Sequence, residues 1–398
     1  MKKTIIHLHP YKFINHDYQI REYSELEKKF KINVIIHDLS KIFYPNLNYV
    51  KAKNYKKSIK FKSLTSWIKV LKSLKNKNVV FVNELNYDSF KSLIVHYFLL
   101  KSKFQICLDM NSGVIDESAF FKNNFNLRNI KIKFLRVLKN PYLLIFFLKK
   151  KILKFLFLLI KFDKISVFLT ANENEKVNIK IKKKKIIRVH SRDYSNYLNY
   201  KKKDTLRKKK PIIFLDAPLP YFMDDETILY GQERVKDIPR WYREHNIFFD
   251  KLEKFFSTKV IIVPHPKTKG VINPFFKKRY VDHRFDAALK LTKNSLFVIS
   301  GIFVSTAISF AIASLKPIFF IYSDQMKINF KKQIIFSKET AKLIGSKQVD
   351  LNNFKKEDII DYMKVDQELY DSYKNKYLTS KKLEKKPNHI IIGKAIFQ

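Results

Sequence analysis

A histidine held between two prolines closes an apolar run in VIIVPHPKTKG, where His265 lies between Pro264 and Pro266 and Lys267 follows. Pro266 disfavours helical dihedrals at the residue before it and keeps His265 extended. An imidazole at the carboxyl end of a parallel strand faces the crevice in which open α/β sheets bind ligands. There it donates to a phosphate oxygen or protonates a leaving phosphate. Forty positions on, Ser305 and Thr306 precede the apolar stretch AISFAIASL. Hydroxyls at that place cap backbone amides, and the amides themselves attract anions. Ser300 and Gly301, just upstream, allow close backbone approach. The bland readings are a structural histidine and simple capping, but together these residues describe a pocket for a nucleotide phosphate.

A second His-Pro, His9-Pro10 in TIIHLHPYKF, has no Ser-Thr pair at comparable spacing. The expectation for His9, and for His7 beside it, is contact with an acceptor rather than a donor. Three carboxylates follow apolar runs: Glu84 in VNELN, Asp109 in LDMNS and Asp216 in FLDAP. A carboxylate so placed is a candidate to deprotonate an acceptor hydroxyl. Glu84 is read on the acceptor side, and Asp109 and Asp216 as catalytic candidates. Asp193-Tyr194 in HSRDYS reads as an interdomain contact. No Asp-x-Asp, Walker loop or G-x-G-x-x-G is present, and Asp224-Asp225-Glu226 reads as a solvated loop, so neither metal nor resident cofactor is expected.

These residues need strands and helices to position them. Strand-like runs at Thr4–Leu8, Asn33–His37, Val79–Asn83, Gln105–Leu108 and Ile165–Thr170 alternate with helical lengths such as 17–29 and 87–100. That alternation predicts parallel strands with crossover helices, the α/β class. The charged stretch YKKKDTLRKKKP at 200–211 reads as a linker. The pattern then restarts: strands near Ile212, Val260, Leu296 and Ile318, and helices at about 239–256, 286–293 and 305–314. The predicted architecture is GT-B-like, two Rossmann-like domains facing a central cleft. Residues 1–200 form the acceptor-side domain, 207–375 the donor domain, and 376–398 a segment closing back on either.

With 398 residues, 46% of them hydrophobic, the chain has material for two cores. Lys and Arg outnumber Asp and Glu by 80 to 36, a net charge of +44 that attracts polyanions or acidic lipid. The lysines spread over the whole chain rather than forming a recognisable module, which disfavours specific nucleic-acid binding; part of their excess fits an AT-rich genome. A basic, apolar segment at 118–162 is too interrupted by lysine to span a bilayer and suits a helix lying on an anionic membrane, against the alternative of a core helix with snorkelling lysines. The single cysteine, Cys107, permits no intramolecular disulfide and fits a cytoplasmic setting, peripheral at the inner face of the membrane.

The run IIFLDAPLP, FFDKLEKFF, VIIVPHPK and LFVISGIFVSTAISFAIASLKPIFFI resembles the donor domain of bacterial surface-polysaccharide glycosyltransferases. It is similar to sialyltransferase-like enzymes with a His-Pro motif and a following Ser-Ser/Thr motif, over residues 212–322. The resemblance implies transfer of a nonulosonic acid from a CMP-activated donor, without metal, to a glycan or lipid-linked glycan of capsule or O-antigen type. It implies that His265 contacts the CMP phosphate and that Ser305 and Thr306 hold phosphate or sugar carboxylate. The acidic pair followed by glycine that supplies the base in that family does not occur here. Kdo transfer and transfer of glycerol or ribitol phosphate from CDP-alditols are the neighbouring alternatives.

Overall fold

A computed structural model of the chain describes residues 3–46, 55–74, 78–85, 89–110, 151–153, 155–157, 165–171, 185–200, 209–217, 219–220, 235–268, 274–276 and 279–397. Residues 201–208 of the expected linker at 200–211, the acidic cluster 224–226 and most of the segment 118–162 lie outside these residues.

Two wholly parallel sheets make up the core. The first contains β1 (Thr4–His9), β2 (Asn33–Asp38), β3 (Ser58–Lys60), β4 (Val79–Asn83), β5 (Gln105–Met110), β6 (Ile165–Thr170) and β7 (Lys185–Arg188), in the order β3-β2-β1-β4-β5-β6-β7. The second contains β8 (Ile212–Leu215), β9 (Val260–Val263), β10 (Val298–Ser300), β11 (Ile318–Tyr322) and β12 (Gln348–Asp350), in the order β12-β11-β10-β8-β9. Parallel strands covered on both faces need apolar side chains at consecutive positions, which is why they stand out in the sequence as runs. Ile212 and Phe214 enter one core with Phe249 and Ile262, while Ile213 and Leu215 enter the opposite one with Val263 and Phe320. The fold is α/β and GT-B-like: two Rossmann-like sheets whose carboxyl ends face a shared cleft.

The edge strands β3 and β12 were not expected. Each has three residues, and only Val349 among them is buried, so neither leaves an apolar run to read. The expected helix at 17–29 is broken into Asn15–Ile20 and Tyr23–Phe30. At the break Glu22 is left-handed, φ 54°, and its buried carboxylate accepts from the His389 backbone N–H (3.0 Å), His389 Nδ1 (2.6 Å) and the Ser195 hydroxyl. Those bonds to remote segments offset a conformation that a glutamate otherwise avoids.

The helix expected from Ser305 begins only at Ile308. The Ser305 hydroxyl accepts from the Ala307 N–H (3.2 Å), and the first turn is tightened by Ile308 to Ser305 and Ser309 to Thr306 backbone bonds. The terminal helix Asn388–Phe397 returns to the first sheet, packing Ile391, Ile392 and Ile396 beside Phe30. Gly393 makes this possible, since a Cβ there would lie 2.0 Å from the Phe30 ring. Within 118–162, Leu153 and Phe157 are buried in the first core whereas Ile152 and Phe155 are exposed.

Candidate active site

Each sheet reverses its strand order once, the first between β1 and β4 and the second between β8 and β10. Helices leave for opposite faces at such a point and open a crevice at the strand carboxyl ends. His9 ends β1 and Glu84 follows β4, so both flank the first crevice. Asp216 follows β8, and His265 lies two residues beyond the adjacent β9. The two crevices merge into a cleft of about 670 Å³ lined by His9, Glu84, Arg192, Asp216, His265 and Thr306 among others.

On the first face, His9 Nδ1 lies 3.1 Å from Glu84 Oε2. The ionised carboxylate only accepts, so Nδ1 carries the proton and Nε2 is the basic atom of the neutral ring. Arg21, placed by the helix break, donates through Nε (3.1 Å) and Nη2 (2.7 Å) to the two oxygens of Glu84. Arg192 donates to Glu84 and, at 3.2 Å, to Asp109. Burial alone pushes the Glu84 carboxyl up, but Arg192 and Arg21 together hold it well below the usual carboxylate range. Glu84 is therefore a fixed anion that orients His9, and a poor base itself. His7, Nε2 at 3.3 Å from Glu84, bonds Tyr23 through Nδ1 (2.6 Å), and burial lowers it to about 4. His7, His9 and Glu84 offer three ligand atoms within 4.8 Å of one another. The positive charge that a metal ion would bring there is already supplied by two guanidinium groups.

On the second face, the Lys267 N–H donates to His265 Nδ1 at 3.3 Å. The neutral ring consequently carries its proton on Nε2 and is a hydrogen-bond donor there. His265, Pro266, Lys267, Ser305 and Thr306 all line the cleft; Ser300 and Gly301 do not, being buried where β10 ends. Asp216 lines it too, and burial pushes its carboxyl well above the usual range against one bond from the Ala217 amide. Burial thus favours its protonated form. Asp109 is not among the lining residues: it sits behind Arg192, raised by burial and then by Glu84 against the pull of Arg192. Burial raises the carboxyls of both Asp109 and Asp216.

The faces are tied together by the helix Arg192–Asn199. Asp193 is buried, desolvation raises its carboxyl against a smaller opposing pull from Thr306, and both residues line the cleft. Tyr194 enters the core of the second sheet, and Asn196 Nδ2 donates to Ile20 O (2.8 Å) on the first. Asp193-Tyr194 makes the interdomain contact the sequence suggested. Arg21 and Arg192 escaped that reading because each is a lone arginine in a polar stretch, and only the fold converges them on Glu84.

No family model and no curated protein matches this chain. Among solved structures, UDP-GlcNAc 2-epimerase from Neisseria meningitidis bound to UDP-GlcNAc is 12% identical with TM-score 0.48, covering 100% of this chain and 99% of its own. The spinosyn forosaminyltransferase SpnP is 8% identical with TM-score 0.48, covering 100% of both chains. The wall teichoic acid polymerase TagF is 11% identical with TM-score 0.47, covering 99% of this chain and 88% of its own. At this level of similarity no reaction or substrate passes from them to this chain.

Proposed function

We propose that this chain is a metal-independent GT-B glycosyltransferase that moves a nonulosonic acid from its CMP-activated donor to a surface glycan or its lipid-linked precursor. One observation carries the reading: two histidines line one cleft from opposite sheets, held in opposite tautomers. His9, basic at Nε2, removes the proton of an acceptor hydroxyl, and the oxygen attacks the anomeric carbon of the donor. The bond from that carbon to the CMP phosphate oxygen breaks, and the phosphate leaves with the electron pair. His265 Nε2–H and the Thr306 hydroxyl donate to the departing phosphate, with Asp216 lining the same cleft. The proton finishes on His9, and the single displacement inverts the anomeric centre.

The lipid-linked acceptor places the enzyme at the inner membrane face. In support, Phe90, Ile94 and Tyr97 are exposed along one side of the helix Phe90–Lys101, with Lys101 Nζ 4.6 Å from the Tyr97 ring centroid. No helix among the described residues is long and apolar enough to cross a membrane.

The test is a donor panel of CMP-sialic, CMP-pseudaminic and CMP-Kdo sugars, CDP-glycerol and UDP-GlcNAc, followed by nucleotide release. CMP release from a nonulosonate donor is expected, with His265→Ala losing at least about 100-fold in kcat/KM. His9→Ala is expected to lose transfer while still binding CMP. Turnover confined to CDP-glycerol or UDP-GlcNAc, or none at all, overturns the reading.

A further inference from the structure

We infer that Lys12, Lys41 and Lys60, gathered around Asp38 at the carboxyl edge of the first sheet, form an anion site for the acceptor. It takes a carboxylate or phosphate group that the acceptor carries beyond its reacting hydroxyl. The inference rests on the transferase reading for calling the ligand an acceptor, though not for the site itself. His9, Asp38 and Lys60 end β1, β2 and β3, and they stand side by side in the register of that sheet. Two strand spacings, ~10 Å, therefore separate His9 from Lys60 along one edge. The row begins in the cleft, whose lining includes His9, Tyr11 and Lys12, while Lys41 and Lys60 continue it outside.

Backbone bonds to one carboxylate gather the lysines. Asp38 is buried; its Oδ2 accepts from the Phe13 N–H (3.3 Å) and its Oδ1 from the Ser40 N–H (2.9 Å). Lys12 precedes Phe13 and Lys41 follows Ser40, so these bonds bring both lysines to the strand end that Lys60 flanks. A second tie joins the same two segments: the Tyr11 ring stacks on Tyr44, with centroids 5.2 Å apart and 11° between the planes. The charge is thus positioned before a ligand arrives, which removes part of the ordering cost of binding. Asp38 uses both oxygens on backbone amides, and Lys41 Nζ donates to the Pro45 carbonyl (3.3 Å). Among the described residues no ion pair joins a carboxylate to Lys12, Lys41 or Lys60. Burial, then Lys60 and Lys41 against the opposing pull of Asp38, lowers the Lys12 ammonium, and a bound anion relieves that crowding. Ammonium groups donate charge-assisted bonds equally to a sugar carboxylate and to a phosphate, so the site admits both sources.

The test is calorimetric titration of the full-length protein, without donor, at about 0.15 M salt. The probes are a neutral glucose-ended trisaccharide, the same trisaccharide ended by glucuronate, and an N-acetylglucosaminyl diphosphate with a short alkyl tail. At least one anionic probe is expected to bind at least about tenfold more tightly than the neutral one. Lys12→Gln and Lys60→Gln each reduce that advantage, whereas Lys338→Gln, an equal loss of charge on an exposed helix of the second half, leaves it. An advantage of the glucuronate probe alone assigns a sugar carboxylate, of the diphosphate alone a lipid-link phosphate, and of both a site for either. The inference is overturned if neither anionic probe exceeds the neutral one, or if either lysine variant weakens binding no more than Lys338→Gln. Should Lys12→Gln fail to fold, the exposed Lys60 decides through Lys60→Gln alone. Titration of the same protein with CMP tests the transferase reading separately, since that binding depends on His265 and not on these lysines.

Discussion

Burial pushes four histidines down to about 4, and their distribution predicts that the two halves of this protein respond differently to acid. Burial lowers His7, His37 and His96 in the first half, and His245 in the second, from 6.5 to about 4. With the folded value depressed, the unfolded chain binds more protons between pH 6.5 and 4. Stability is therefore intact above about pH 6.5 and falls as the pH drops through that window. Each histidine costs about 1.4 kcal/mol per pH unit, so three remove roughly 10 kcal/mol across the window and one only about 3. A typical domain has about 5–15 kcal/mol to lose. The first half is expected to unfold near pH 5 while the second stays folded.

The only two tryptophans report the halves separately. Trp67 donates through Nε1 to His37 Nδ1 (3.3 Å), and Trp241 stacks on His245 at 5.4 Å. Urea titrations of Trp67→Phe and Trp241→Phe, followed by fluorescence at pH 7.5, 6.0 and 5.0, separate the two transitions. The Trp67 transition is expected to move to lower urea about three times as steeply with pH as the Trp241 transition. Parallel movement of both, or no movement above pH 5, refutes the assignment of neutral buried histidines.

Two further outcomes follow from the packing. Gly393→Ala places a methyl group against Phe30 and costs about 1–3 kcal/mol by overpacking; hydrogen exchange is expected to quicken in Asn388–Phe397 and not in β8–β10. Replacing Phe90, Ile94 and Tyr97 together by serine removes the exposed apolar stripe. Sedimentation with phosphatidylglycerol vesicles is expected to fall at least about tenfold, with circular dichroism unchanged; undiminished binding would assign membrane attraction to the lysines alone.

The central strands were legible because parallel strands need apolar residues on both faces, so β1, β4, β8 and β9 announce themselves locally. His9, His265, Glu84 and Asp216 were legible for the same reason, standing at or just beyond the ends of those runs. What each does was not. The tautomer of His9 depends on a carboxylate 75 residues away, and that of His265 on a backbone amide two residues on. Glu84 reads as a base until Arg21 and Arg192 converge on it, and the upward push of burial on Asp216 is equally invisible in the chain order. The break that aims Arg21 is held by Ser195 and His389, which no local pattern connects to Glu22. Local apolar periodicity decided where the strand ends lie, because hydrophobic burial acts on every residue of a run. Charge state was decided only by the fold, because it depends on distances between groups that the chain order leaves far apart.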